Sequence, residues 1–219
     1  MLRFRRRGAP EFWGNDLKEI RKLVLASGNL GKLKEYQVLA EGHAVKLELL
    51  PELAGLPEFS EDAPTFAENA AGKALYYSKH SVETVFADDS GLVVPALGGA
   101  PGVLSARYAG PGGSSEQRNA KLLGQLRGKK GAERAGFFVC VIALARRGRC
   151  LAVVSGKVDG EILEEPRGAG GFGYDPVFYF PSTGKSFAEL NAEGKNQHSH
   201  RGKAFRRLME VLGVEKEKV

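Results

Sequence analysis

Cysteine is scarce in this chain. Cys140 and Cys150 are its only two among 219 residues, too few for a disulfide framework or a four-ligand zinc site, so reduced thiols in a cytoplasmic protein are the expectation. Long apolar runs are lacking as well. The longest candidate, residues 135–145, falls well short of the roughly 20 residues a membrane-spanning helix needs. Arg3, Arg5, Arg6 and Arg7 give the chain a basic start, but residues 8–19 supply no apolar segment behind them, so secretion is not expected on that pattern. There is no internal repeat and no low-complexity tract.

What remains is an ordinary globular composition, 42% hydrophobic and 26% charged. We read residues 1–20 as a flexible basic extension and residues 21–215 as a single domain, long enough to bury a proper core. The net charge of +6 favours anionic partners, although much of it comes from the N-terminal arginines. A non-catalytic nucleic-acid-binding module would account for those arginines. It would leave the acidic segments as liabilities beside a phosphate backbone.

The patterning alternates strand and helix. Residues 22–26 (KLVLA) read as a buried strand, Ser27-Gly28-Asn29 as a turn, and 30–41 as a helix closed by Gly42. Residues 44–50 alternate as a second strand, and 51–64 form a loop rich in proline and acids. Thr65 and Glu68 match a capping box that opens a helix to about residue 80. Residues 84–87 lead as a strand into Asp88-Asp89-Ser90-Gly91, and 96–113 form a long loop with six glycines and two prolines. A helix from Ser114 or Ser115, a hairpin of strands 136–145 and 150–158, a second glycine-rich loop at 168–173 and a final helix from Ser199 to Gly213 complete the chain. Such an order points to a mixed sheet flanked by helices.

Five constellations carry chemistry. Ser27, Gly28, Asn29, Leu30, Gly31 and Lys32 put a hydroxyl, an amide, two glycines and a lysine where a strand feeds a helix N-terminus, a place suited to phosphate; the spacing of a Walker A loop is absent. Glu68, Asn69 and Lys73 share the start of one helix, where Glu68 can either cap the helix or orient a metal-bound water, and small neighbours let Lys73 reach inward. Asp88 and Asp89 at a strand mouth invite a hard divalent cation, and are equally the residues of a solvated turn. Phe172, Gly173, Tyr174 and Asp175 offer rings on a glycine-rich loop to a planar base, with core packing as the other use of the rings. Lys195, His200 and Arg201 place cations and an imidazole near the last helix N-terminus, fit for phosphate or a purine keto oxygen.

In order, SGNLGK at 27–32, TFAENAAGKA at 65–74, ADDSGLVVPALGGAPGVLSARYAG at 87–110, GGFGYDPVF at 170–178 and KNQHSHRGKA at 195–204 resemble the inosine triphosphate pyrophosphatase family. The resemblance implies an α/β fold with a long mixed twisted sheet, two lobes with a central substrate cleft, and a homodimer. It implies Mg²⁺-dependent hydrolysis of non-standard purine triphosphates (ITP, dITP, XTP) to monophosphate and pyrophosphate. On this match Asp89 is proton acceptor and metal ligand, with Glu61 as a second metal carboxylate. Residues 27–32 and Ser90 contact substrate, 172–175 hold the base, and Lys195, His200 and Arg201 complete the substrate contacts. The chemistry is coherent: Mg²⁺ with Lys32, Lys73 and Lys195 neutralises phosphate charge while a carboxylate activates water.

Overall fold

The computed structural model describes residues 17–51 and 53–216; most of the expected N-terminal extension lies outside them. One seven-stranded sheet organises the chain in the order β2-β1-β3-β4-β5-β6-β7. Its strands are β1 (Lys22–Leu25), β2 (Lys46–Leu49), β3 (Thr84–Val93), β4 (Ala135–Arg146), β5 (Arg149–Ile162), β6 (Phe178–Phe180) and β7 (Lys185–Ser186). The first three are mutually parallel and every later pairing is antiparallel. The mixed sheet expected from the strand and helix order is therefore present. Crossover helices join the parallel strands, whereas β4 and β5 meet through the two-residue turn Arg147-Gly148. Both turn residues have positive φ, 50° and 75°, as a two-residue hairpin turn requires.

Among the described residues, five helices with both ends in view cover the sheet: α1 (Leu30–Ala40), α2 (Phe66–Tyr77), α3 (Ser115–Gln125), α4 (Ala192–His198) and α5 (His200–Leu212). Helices α1 and α5 bury Tyr36, Phe205, Leu208 and Leu212 against Leu23, Leu25 and Phe86 on one face. On the opposite face α2 packs Ala70, Ala74 and Tyr77 on Val24, Val85 and Ala87. A third cluster, with Leu122 of α3, Phe138, Phe178 and Phe187, fills the far end of the long strands. Each fully buried leucine or phenylalanine here stabilises by about 1.5–3 kcal/mol. Ile20 is buried in the first cluster, so the packed unit starts before residue 21.

Three expectations are corrected. The strand expected to stop at Ala87 runs on to Val93, because β4 pairs with it from Val85 to Val93; the two aspartates lie within a strand, not at its mouth. The loop at 96–113 is not structureless, since it contains 3₁₀ turns at Pro95–Leu97 and Gly102–Arg107. Helix α2 ends at Tyr77, and a 3₁₀ turn carries the chain on to His80.

Candidate active site

Strand β3 changes company along its length. Its pairing with β1 ends at Phe86, while the pairing with β4 continues, so from Asp88 onward one edge of β3 is open. The carbonyl of Asp88 falls in that gap and accepts from Lys73 Nζ (2.8 Å) and Lys32 Nζ (3.4 Å). Alternation along the strand then sends the two adjacent carboxylates to opposite faces.

Asp89 faces α2. Its Oδ2 accepts from Asn69 Nδ2 (3.0 Å) and its Oδ1 from the Ser90 amide (2.9 Å). Burial and the nearby Glu61 charge push its pKa up to about 6, against the opposing pull of Lys32, Asn69 and Lys73. Lys73 is buried and bonds the Glu61 carboxylate. Burial alone would depress its pKa, but Asp88, Glu61 and Asp89 together raise it, so the ammonium stays charged. Asn69 also grips the acidic loop at both groups of Ala63, accepting from its amide (2.9 Å) and donating to its carbonyl (3.3 Å).

The donor chemistry of this corner fits a hard divalent cation. Asp89 and Glu61 both line the cleft, and their mutual repulsion is what a cation between them would relieve. Among the described residues no group of three or more His, Cys, Asp or Glu converges as a metal site. Mg²⁺ does not require one, since it is held by one or two carboxylates with waters and phosphates.

Asp88 faces the other way and is fully buried. Burial alone would raise its pKa, yet Lys32 (3.0 Å), Arg201 (Nε 3.8 Å) and Lys73 together hold it down at about 2. Ser90 Oγ donates to it (3.3 Å) and accepts from Arg201 Nη2 (2.9 Å). Arg201 and Lys195 both pair with Glu35 of α1, and Lys195 also bonds Asp175 (2.5 Å). Two buried cations (Lys195, Arg201) and the half-buried Lys32 thus face three carboxylates (Glu35, Asp88, Asp175), the pairing that makes buried charge tolerable.

Phe172 rests on this network, its ring centroid 4.6 Å from Lys195 Nζ and 5.7 Å from Arg201 Cζ. Its amide donates to Asp175 Oδ2 (2.7 Å), which closes the loop on itself. Gly171 (φ 69°) permits this, because a Cβ there would stand 2.2 Å from that same oxygen. Tyr174 is anchored through its hydroxyl to the Ser105 carbonyl (2.9 Å), and Asn119 of α3 donates to the Gly173 carbonyl (3.1 Å). His200 stacks on Phe138 at 4.6 Å and 10°. Burial, then Arg201, Lys195 and Lys32, push its pKa well below 6.5, so the imidazole is neutral.

Many of these groups line one cleft of about 1210 Å³, whereas Asp88, Glu35, Asn69 and Asn119 are not among its lining residues. Sixteen sequence positions proposed for the site converge there: Ser27, Gly28, Asn29, Leu30, Lys32, Glu61, Lys73, Asp89, Ser90, Phe172, Gly173, Tyr174, Asp175, Lys195, His200 and Arg201. The cleft begins at the N-terminus of α1, where Asn29 Oδ1 caps the Lys32 amide (3.1 Å). Gly31 does not line it but backs it, since a Cβ there would come within 3.1 Å of the Phe172 ring. Glu68 is not among the lining residues. It is exposed and accepts from Thr65 Oγ1 (2.7 Å), the capping half of its two possible uses.

Sequence reasoning overlooked Glu35, Asn119, Ser105 and Arg107. Glu35 carried a faint signal, one helical turn after Lys32 on the same face; the partners that give it meaning lie some 160 residues further on. Asn69 shares the start of one helix with Lys73, but its hold on Asp89 leaves no local trace in the sequence.

Comparison with known proteins places the chain. The profile of the Ham1 family matches residues 23–211. The dITP/XTP pyrophosphatase of Geobacillus kaustophilus is 48% identical over 191 residues, 87% of this chain and 94% of that protein. The dITP/XTP pyrophosphatase of Thermus thermophilus is 50% identical over 192 residues, 87% of this chain and 91% of its own length. The solved structure of a HAM1 protein from Coxiella burnetii superposes with a TM-score of 0.79 at 41% identity, covering 89% of this chain and 99% of that one.

Proposed function

Because the chain belongs to the Ham1 family, we propose that it hydrolyses non-standard purine nucleoside triphosphates of the dITP and XTP type, with ITP among them, to the monophosphate and pyrophosphate. The observation that carries this reading is the meeting, in one cleft, of a buried lysine and carboxylate corner with an aromatic loop backed by cations. The first suits anhydride hydrolysis and the second suits a purine.

Asp89 acts as the water-activating base. A carboxylate lifted to about 6 is a better proton acceptor than an ordinary one, and the bonds from Asn69 and Ser90 fix its direction. Asp89 and Glu61 would hold Mg²⁺, which when bound supplies charge neutralisation to the phosphates. Lys32, Lys73 and the α1 N-terminus stabilise the remaining negative charge as the α–β anhydride breaks. Glu68 is assigned to the helix cap.

Phe172 stacks the base and His200, neutral and with its Nδ1 unpartnered among the described residues, faces it. The amides of Phe172 and Asp175 are used within the loop, which leaves those of Gly173 and Tyr174 as main-chain donors to a 6-keto oxygen. Adenine would present an amino group to those donors, and an unpaired buried donor is costly. Pyrophosphate release from dITP, XTP and ITP, set against ATP and GTP with and without Mg²⁺, tests the reading. Equal rates on ATP would overturn the base assignment, and no release from any of them the enzymatic one.

The finer assignments belong to the same proposal. A homodimer is supported by Val153, 48% exposed on β5, whose outer edge has a strand partner only at Glu161 and Ile162 among the described residues; light scattering checks it. No described helix is long and apolar enough to cross a membrane, and a cytoplasmic location suits an enzyme of the nucleotide pool.

A further inference from the structure

The 3₁₀ turn Gly102–Arg107 touches both halves of the site. It is seated on β3 at Gly91, where a Cβ would lie 2.3 Å from Ser105 Oγ and 2.7 Å from the Gly102 carbonyl. The Leu92 amide donates to Ser105 Oγ (3.0 Å), and Tyr174 of the aromatic loop donates to the Ser105 carbonyl (2.9 Å). The turn is thus a fixed platform. From it, two residues on, Arg107 Nη2 donates to the main-chain carbonyl of Glu61 (2.7 Å) and stands 3.7 Å from Asp62 Oδ1.

The acidic segment that receives this bond has no helix or strand of its own between Gly55 and Phe66. Its carboxylates face a cation only if its main chain is held. Asn69 holds it at Ala63, and Arg107, at the end of the 3₁₀ turn, holds it at Glu61. The Glu61 carboxylate is bonded to Lys73, a bond it must exchange to reach a metal. The Arg107 bond is to the carbonyl, so it survives that exchange.

We propose that Arg107 is a positioning residue for the metal corner: by fixing the Glu61 carbonyl it presents the Glu61 carboxylate to the divalent cation. The inference rests on the assignment of Glu61 as a metal carboxylate. Residues that orient ligands from behind typically change metal affinity by about 10–100-fold, and here the lever is loop ordering, which an unheld loop must supply on binding.

The test is titration of Mn²⁺ into nucleotide-free protein, with free Mn²⁺ followed by electron paramagnetic resonance, for the unsubstituted protein, Arg107→Ala, Arg107→Lys and Glu61→Gln. Arg107→Ala should bind Mn²⁺ about tenfold more weakly, and its turnover should be restored by raising Mg²⁺, a shift in metal requirement with kcat largely kept. Arg107→Lys, which keeps a donor and the charge, should fall between the two and decides the matter if the alanine variant does not fold. Affinity in Arg107→Ala within twofold of the unsubstituted protein, while Glu61→Gln weakens it, overturns the role of Arg107 alone. Unchanged affinity in Glu61→Gln overturns the metal assignment of Glu61 and the inference with it.

Discussion

Asp88 and Asp89 are neighbours in sequence, yet one is held at about 2 and the other pushed to about 6. Both are buried, which alone raises a carboxyl pKa; three cations overcome that for Asp88, while Glu61 adds to it for Asp89. Asp89→Asn keeps the shape and removes the base, so kcat should fall by about 10²–10⁴ while nucleotide binding, read by fluorescence or calorimetry, persists. Near-normal turnover would remove Asp89 from the mechanism. Glu68→Gln should change kcat by less than a few-fold, because that side chain serves a helix end outside the cleft; a loss on the scale of Asp89→Asn would restore it to the catalytic set. At this scale the sequence was most legible where chemistry clusters locally, as at 27–32 and 172–175. Glu35 was not, since its value comes from Arg201 and Lys195, and no local pattern reports a partner so distant along the chain.

Secondary elements place these residues, and their errors in reading have physical causes. Asp, Asp, Ser and Gly are poor strand formers, so the sequence at 88–91 signals a turn; nine register pairs with β4 override that preference. The short strands β6 and β7 and the seven-residue α4 went unread because none is long enough to show a period. The long helices and the hairpin were legible through caps and turn glycines. Gly91 is the element-level pivot, the point where β3 admits the 3₁₀ turn that seats Tyr174. Gly91→Ala forces a methyl into that contact and should cost about 1–3 kcal/mol, measured by urea unfolding, with KM for the triphosphate raised as the aromatic loop shifts. Unchanged stability and KM would mean that the turn moves freely.

Across the whole molecule, stability should carry the mark of its buried imidazole. His200 has a folded pKa well below its ordinary 6.5, so as pH falls below 6.5 the unfolded chain takes up a proton that the folded chain refuses, and stability drops by up to about 1.4 kcal/mol per pH unit. Asp89, raised from 3.8 to about 6, works oppositely in metal-free protein between those values. Glu35, burial notwithstanding, is lowered from 4.5 by Arg201 and Lys195, so its contribution is lost as pH falls below 4.5. The difference in unfolding free energy between the unsubstituted protein and His200→Gln should therefore change with pH below 6.5; a constant difference down to pH 5 would mean that His200 titrates normally. The gap beside β3 has one more consequence. Because a main-chain carbonyl anchors Lys73 and supplements the carboxylate that holds Lys32, part of the site's charge pattern is inherited with the backbone and is buffered against side-chain drift at position 88. Relatives that differ there can keep both lysines in register, and a catalogue of matching side chains will under-count what they share.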